Sequence, residues 1–354
     1  MTSDANSPAR PQPRPVIYIT NGSIGDFLMA LHFADLVSAR VHIITPRDAK
    51  LFRELADQYD VMVTECNACS LRGLINCLAT ALSALRPTAV VSPLPFTSLP
   101  RGTRMFARAL SSFPGSSFTG LDMNDGRTLY PDMMSALAGK LGFAAEHEPS
   151  PVKAHSETRA PQLRFTHDQT NLERSGLVAG EYVVIHPCGS NAIRTLSSEE
   201  IEAIIQVIRE KQPSLKVAFT GSRKDRVHIE AALTRLAKGA VGSSGYIVDL
   251  AGILSMNELE NVLAASRLYI GVDTGVTHIA CMLGVQSLVV AHAASLLQWL
   301  PYYNANARIM YAIKDCPHGM NEGFEHIKEC YDEGSRYLIH VPIEAVLKVL
   351  SGML

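Results

Sequence analysis

The chain has 354 residues, 47% of them hydrophobic, enough for a sizeable core and more in keeping with two domains than one. Its net charge is −2, so no global basic field points to nucleic acid, and no apolar run of about 18 residues marks a transmembrane helix. Seven scattered cysteines, an odd number, argue against a disulfide framework and for a reducing compartment.

Residues 1–15 are Pro-rich and polar and lack the apolar segment of a secretory signal; a disordered tail on a cytoplasmic protein is expected. Val16–Thr20 reads as a strand, NGSIGD as a glycine-containing loop, and Phe27–Val37 as a helix. Strands follow at Val41–Thr45, Val61–Val63 and Ala89–Val91, with helices at Lys50–Tyr59 and Leu71–Leu85. The polar, proline-containing stretch 144–170 breaks the pattern and reads as a linker. Beyond it, strands are expected at Tyr182–His186, Lys216–Thr220, Tyr246–Asp249, Arg267–Val272 and Gln286–Ala291. Helices are expected at Ser197–Lys211, Asp225–Ala237, Met256–Ala265 and Ile343–Leu350. Such alternation predicts two α/β halves with parallel sheets, which bind ligands at the carboxyl ends of their strands.

Four stretches at those ends carry candidate chemistry. In Gly22-Ser23-Ile24-Gly25-Asp26 the glycines permit close backbone approach, and Asp26 reads either as a helix cap or as a general base. In YIGVDTGVTHIACMLGV (269–285), Asp273 fits an N-cap. The free amides of Thr274 and Gly275 offer an anion site, and His278 falls on the same helical face as Thr274. The plainer alternative is a capped core helix with a buried histidine. HPCGSNAIR (186–194) is a polar loop ending in Arg194, a candidate for neutralising a leaving phosphate; a solvated surface arginine is equally compatible with the spacing. In Thr220-Gly221-Ser222-Arg223-Lys224-Asp225, a cap by Ser222 or Asp225 competes with an Asp225 contact to a ribose hydroxyl. The lone Cys66-x-x-Cys69 and the pair Cys316 and Cys330 read as inert thiols rather than metal ligands.

IGDFLMALHFADLV (24–37) and DLAGILSMNELENVLAASRLYIGVDTGVTHIACMLGV (249–285) together resemble glycosyltransferase family 9, the ADP-heptose heptosyltransferases of bacterial surface glycans. Asp273, Thr274, Gly275, His278, Ala280 and Gly284 match its signature in order. The resemblance implies a GT-B fold: α/β, two Rossmann-like parallel-sheet domains facing across a cleft. It divides the chain into the tail 1–15, an acceptor-side domain 16–165, a nucleotide-sugar domain 166–340 and a C-terminal helix 341–354. It implies an inverting reaction that needs neither metal nor cofactor and moves a sugar, heptose from ADP-heptose above all, to a glycan or protein hydroxyl. Asp26 matches the catalytic base, and Thr274 and Gly275 the phosphate turn. Arg194 stands where the family has a lysine, and Leu196-Ser197 stand where a tryptophan-proline pair is usual. Asp273 and His278 join the donor set, with Gly25, Ser190, Gly221, Asp225 and Leu254 as further donor contacts. The expected setting is cytoplasmic, at the inner face of the bacterial inner membrane, with at most peripheral membrane association and no nucleic-acid partner. The rival readings are a nucleotide-sugar epimerase of the same architecture and a non-catalytic nucleotide-sugar-binding protein.

Overall fold

The computed structural model describes residues 15–20, 22–46, 49–65, 89–92, 101–112, 116–120, 130–142, 161–165, 168–238, 245–291, 299–313 and 338–354. The first half builds β1 (Val16–Ile19), α1 (Ile24–Leu36), β2 (Val41–Thr45), α2 (Ala49–Leu55), β3 (Val61–Glu65) and β4 (Ala89–Ser92). It continues with α3 (Arg101–Ser111), β5 (Ser117–Gly120) and α4 (Tyr130–Lys140). Its strands form one parallel sheet in the order β3-β2-β1-β4-β5.

The second half builds α5 (Gln169–Arg174), β6 (Tyr182–His186), α6 (Ser198–Lys211), β7 (Lys216–Phe219), α7 (Arg226–Lys238) and β8 (Ile247–Asp249). Then follow α8 (Met256–Ala264), β9 (Leu268–Val272), α9 (Gly275–Met282), β10 (Ser287–Ala291), β11 (Ala307–Ile313), β12 (Leu338–Ile339) and α10 (Ile343–Met353). The sheet order is β12-β11-β10-β9-β6-β7-β8, parallel throughout except for the antiparallel edge β12. The α/β, doubly wound architecture expected from the alternation is therefore present in both halves.

Strands β1, β2, β4, β6, β9 and β10 are buried along their whole length, because helices cover both faces of a parallel sheet. Helix α6 shows how a covering helix is fixed. Ser197 and Glu200 close a reciprocal capping box at its start, and Ile201, Ile204, Ile205 and Ile208 bury one stripe. Burial of each such side chain is worth about 1.5–3 kcal/mol.

The first half differs most from expectation. Helix α2 ends at Leu55, earlier than the periodicity suggests, and α3, β5 and α4 were not anticipated, nor were β11 and β12. The predicted helix Leu71–Leu85 lies outside the described residues. Part of the expected linker is structured: α5 starts at Gln169, capped by Asp168, and residues 162–164 are pinned on both sides. The Tyr59 hydroxyl donates to Gln162 O, Arg164 pairs with Asp35, and Leu163 N donates to Met282 O at the end of α9.

Across the seam α1 meets α9 and α2 meets α8, and one buried apolar cluster holds residues of both halves, among them Phe27, Phe33, Met256, Val276 and Ile279. Among the described residues no helix is long and apolar enough to cross a membrane.

Candidate functional site

In each sheet the direction of winding reverses beside one strand, and the loops leaving that place diverge to leave a crevice. In the first sheet the reversal lies between β1 and β4, and α1 starts just after β1. In the second it lies between β6 and β9; the loop after β6 carries Arg194, and the turn after β9 carries Asp273 and Thr274. The crevices meet in a cavity of about 360 Å³ lined by Ser23, Ile24 and Gly25 from one half and by Ser190, Arg194, Asp273, Thr274, Gly275, His278 and Trp299 from the other.

Two helix N-termini end at this cavity. Ser23 caps α1, its Oγ accepting from Asp26 N at 3.2 Å, and Thr274 caps α9, accepting from Thr277 N at 3.5 Å. The expectation that Asp273 caps the second helix is corrected. Its carboxylate turns away to the Arg194 guanidinium, Nη2 to Oδ2 at 2.5 Å, and the same Nη2 also donates to the Asp273 carbonyl. The paired charge is the better partner for a carboxylate that is only 6% exposed.

Arg194 is accordingly not a solvated surface residue. It closes a 3-10 turn (Ala192–Arg194) whose start is capped by Asn191, and Thr195 Oγ1 accepts from Gly189 N at 3.0 Å. Gly189 is required for that fold-back, since a Cβ there would lie 2.5 Å from Arg194 O. Arg194 Nη1 reaches Ser190 Oγ at 3.4 Å, while Nε is buried without a hydrogen-bond partner.

Gly275 also has a steric reason to be glycine, and it is set by protein rather than by a ligand. A Cβ at 275 would lie 2.4 Å from Ile24 Cβ and 3.3 Å from Gly25 N, so the two helix starts touch across the seam at this residue. Helix α9 ends in a Schellman motif: Gly284 at φ +75°, Gly284 N to Cys281 O, and Val285 N to Ala280 O. His278 is 6% exposed, with Nδ1 at 3.0 Å from the Tyr303 hydroxyl. Burial lowers its pKa, opposed by Asp273 and aided by Arg194, so the ring is neutral.

Asp26 departs from expectation. It sits in the first turn of α1, three residues past the Ser23 cap, and is fully buried one position behind the cavity-lining Gly25. Of the five further residues expected to contact the donor, Gly25 and Ser190 line the cavity, and Gly221, Asp225 and Leu254 do not. Asp225 closes its own turn, Oδ2 accepting from Ser222 N at 2.7 Å, and the 221–225 turn follows β7, one strand away from the reversal. Leu254 packs on the core shared by the two halves. Tyr303 and Trp299 belong to no motif and were missed. Cys66, Cys69, Cys316 and Cys330 lie outside the described residues; Cys188 and Cys281 are buried free thiols, pushed up by burial to about 12 and about 11. Among the described residues no cluster of three side chains suits a metal ion. A second concavity of about 910 Å³, between α10 and the starts of β10 and β11, contains none of these groups.

The profile of glycosyltransferase family 9 (heptosyltransferase) matches residues 131–323, more than half of the chain. The chain belongs to glycosyltransferase family 9. No curated protein matches its sequence. Similar solved structures include a glycosyl transferase family 9 protein of Veillonella parvula, at 13% identity and a TM-score of 0.70, over 96% of this chain and 97% of that one. ADP-heptose LPS heptosyltransferase II of E. coli follows, at 14% identity and TM-score 0.67, over 96% and 98%. A third is the dodecameric iron-containing heptosyltransferase TibC of enterotoxigenic E. coli, solved with ADP-D-β-D-heptose, at 14% identity and TM-score 0.50, over 89% and 67%. At these identities the likenesses establish the GT-B fold. Family membership makes the chain a glycosyltransferase.

Proposed function

We propose that the chain transfers a sugar, heptose from ADP-heptose, with inversion and without a metal, to a hydroxyl of a surface glycan or protein. The supporting observation is the convergence of two helix N-termini and Arg194 on one cavity. Helix-end amides and a guanidinium suit a diphosphate, and they stabilise charge as it builds on the leaving group. In this reading residues 166–340 hold the donor, 16–165 hold the acceptor, and 341–354 close the chain as a helix. Arg194, Ser190, Thr274, Gly275 and His278 surround the diphosphate, while Asp273 orients Arg194. Asp26 removes the acceptor proton as the hydroxyl oxygen attacks the anomeric carbon, and the bond from that carbon to the diphosphate oxygen breaks on the opposite face. Because Asp26 is buried, the halves part or the first turn of α1 shifts to admit the acceptor. In the same reading the reaction takes place on the cytoplasmic side, at the inner face of the inner membrane.

The test incubates the protein with ADP-heptose and a heptose-deficient glycan, and follows ADP release and the anomeric configuration of the product by NMR. Acceptor-dependent ADP release with inversion is expected, unchanged by a chelator. Donor conversion without acceptor would indicate an epimerase. Donor binding with no turnover on any acceptor would indicate a binding protein.

A further inference from the structure

His278 is gripped from behind by a residue outside every sequence motif. The Tyr303 hydroxyl is 3.0 Å from Nδ1, and the two rings lie 6.3 Å apart at 23°. Tyr303 belongs to a turn tied back to the end of α9. Asn304 N donates to Pro301 O, Asn304 Nδ2 donates to Val285 O at 3.0 Å, and Asn304 Oδ1 accepts from Asn306 N at 2.9 Å. The phenol therefore stays fixed relative to the helix that carries the imidazole.

Burial lowers the pKa of His278 and raises that of Tyr303 well above the usual phenol value, so each ring keeps one proton. Of the two groups the phenol is the stronger acid and the imidazole nitrogen the stronger base, so the O–H donates to Nδ1. The imidazole proton then resides on Nε2. That edge of the ring borders the first turn of α1: a Cβ built on Gly25 would lie 3.4 Å from Cδ2 and 3.8 Å from Nε2. Both Gly25 and His278 line the cavity.

We propose that Tyr303 is a positioning residue that sets the tautomer of His278, so that Nε2–H is held as a neutral donor to an oxygen of the nucleotide diphosphate. The proposal rests on the donor-site reading above. With the other tautomer the ring would present a lone pair to that oxygen and repel it. Such a contact strengthens as charge accumulates on the leaving group, so it bears on turnover more than on binding.

Tyr303→Phe tests this, because the ring and its stacking remain and only the hydroxyl is lost. Nitrogen-15 NMR of the His278 ring should show the Nε2–H form in the wild type and a mixture in the variant. Turnover should fall about tenfold, the scale of one lost hydrogen bond, while the donor KM and ADP affinity change by less than about threefold. An unchanged tautomer in the variant overturns the assignment of Tyr303. An altered tautomer with unchanged turnover overturns the contact to the diphosphate. If the wild type neither binds ADP nor releases it, the donor-site reading fails, and the NMR comparison still decides what Tyr303 does to His278.

Discussion

Arg194 and Asp273 neutralise each other at the edge of the cavity, and that pairing shapes what substitution there will do. Arg194→Ala should lower ADP affinity by about 10–100-fold, the loss of a charge-assisted hydrogen bond. It should also destabilise the fold by roughly 2–4 kcal/mol, somewhat below the usual range for orphaning a buried charge because the arginine is 21% exposed. Arg194→Ala combined with Asp273→Ala should recover most of that stability and none of the affinity, as a thermal melt beside calorimetric titration of ADP will show. Asp26→Asn should leave ADP binding nearly intact and cut turnover by roughly 10²–10⁴-fold, the range for a lost general base; steady-state kinetics with the acceptor checks it. The residue types of this site could be read from loops at strand ends. Their partners could not, since Arg194 and Asp273 are 79 positions apart and only the adjacency of β6 and β9 brings their loops together. Tyr303 gave no signal, because a tyrosine in an irregular turn has no period or motif to betray it.

The helices α1 and α9 set the shape of the cavity at their first turns, and Gly275 is the point of contact. Carbon atoms cannot approach to 2.4 Å, so even Gly275→Ala must drive Ile24 and the start of α1 away. Both the melting temperature and ADP affinity are expected to fall. Gly284→Ala is the control: it imposes a positive φ on alanine with nothing within 4 Å, and should cost about 1 kcal/mol with ADP binding unchanged. A Gly275→Val protein that kept its melting temperature and lost only ADP binding would show instead that the seam yields. The elements themselves were legible where both faces are buried, as in the apolar runs of β1, β6, β9 and β10. They were not legible in α3, β5 and α4. Arg101, Arg104 and Arg108 interrupt the apolar pattern of α3, and β5 is four residues long with no fully buried position.

The seam between the halves also carries an acidic contact. Glu54 on α2 accepts from Met256 N, the first amide of α8, at 3.1 Å. One helical turn further on, Glu260 is buried, with Oε1 lacking a hydrogen-bond partner. Burial first, then the charges of Glu54 and Asp57, push its pKa from 4.5 up to about 8. The unfolded chain releases this proton near pH 4.5 while the folded one retains it, so stability falls as pH rises through that window and levels off above about pH 8. Glu260→Gln should flatten the fall and leave the variant more stable than wild type at pH 8, measured by parallel thermal melts across the range. Two domains and the GT-B arrangement were apparent from sequence, but this contact was not, because nothing in either helix announces which helix of the other half it meets.

The two helix starts that meet at Gly275 and Ile24 turn like poles toward each other. Left to themselves, two such ends work against the seam. A doubly charged anion lodged there reverses the sign and becomes the mortar of the joint. If the donor diphosphate takes that place, tightness of nucleotide binding and closeness of the two halves become a single quantity. Sulfate or inorganic phosphate, with no base or sugar to recognise, would draw the same joint together and compete with the donor for it.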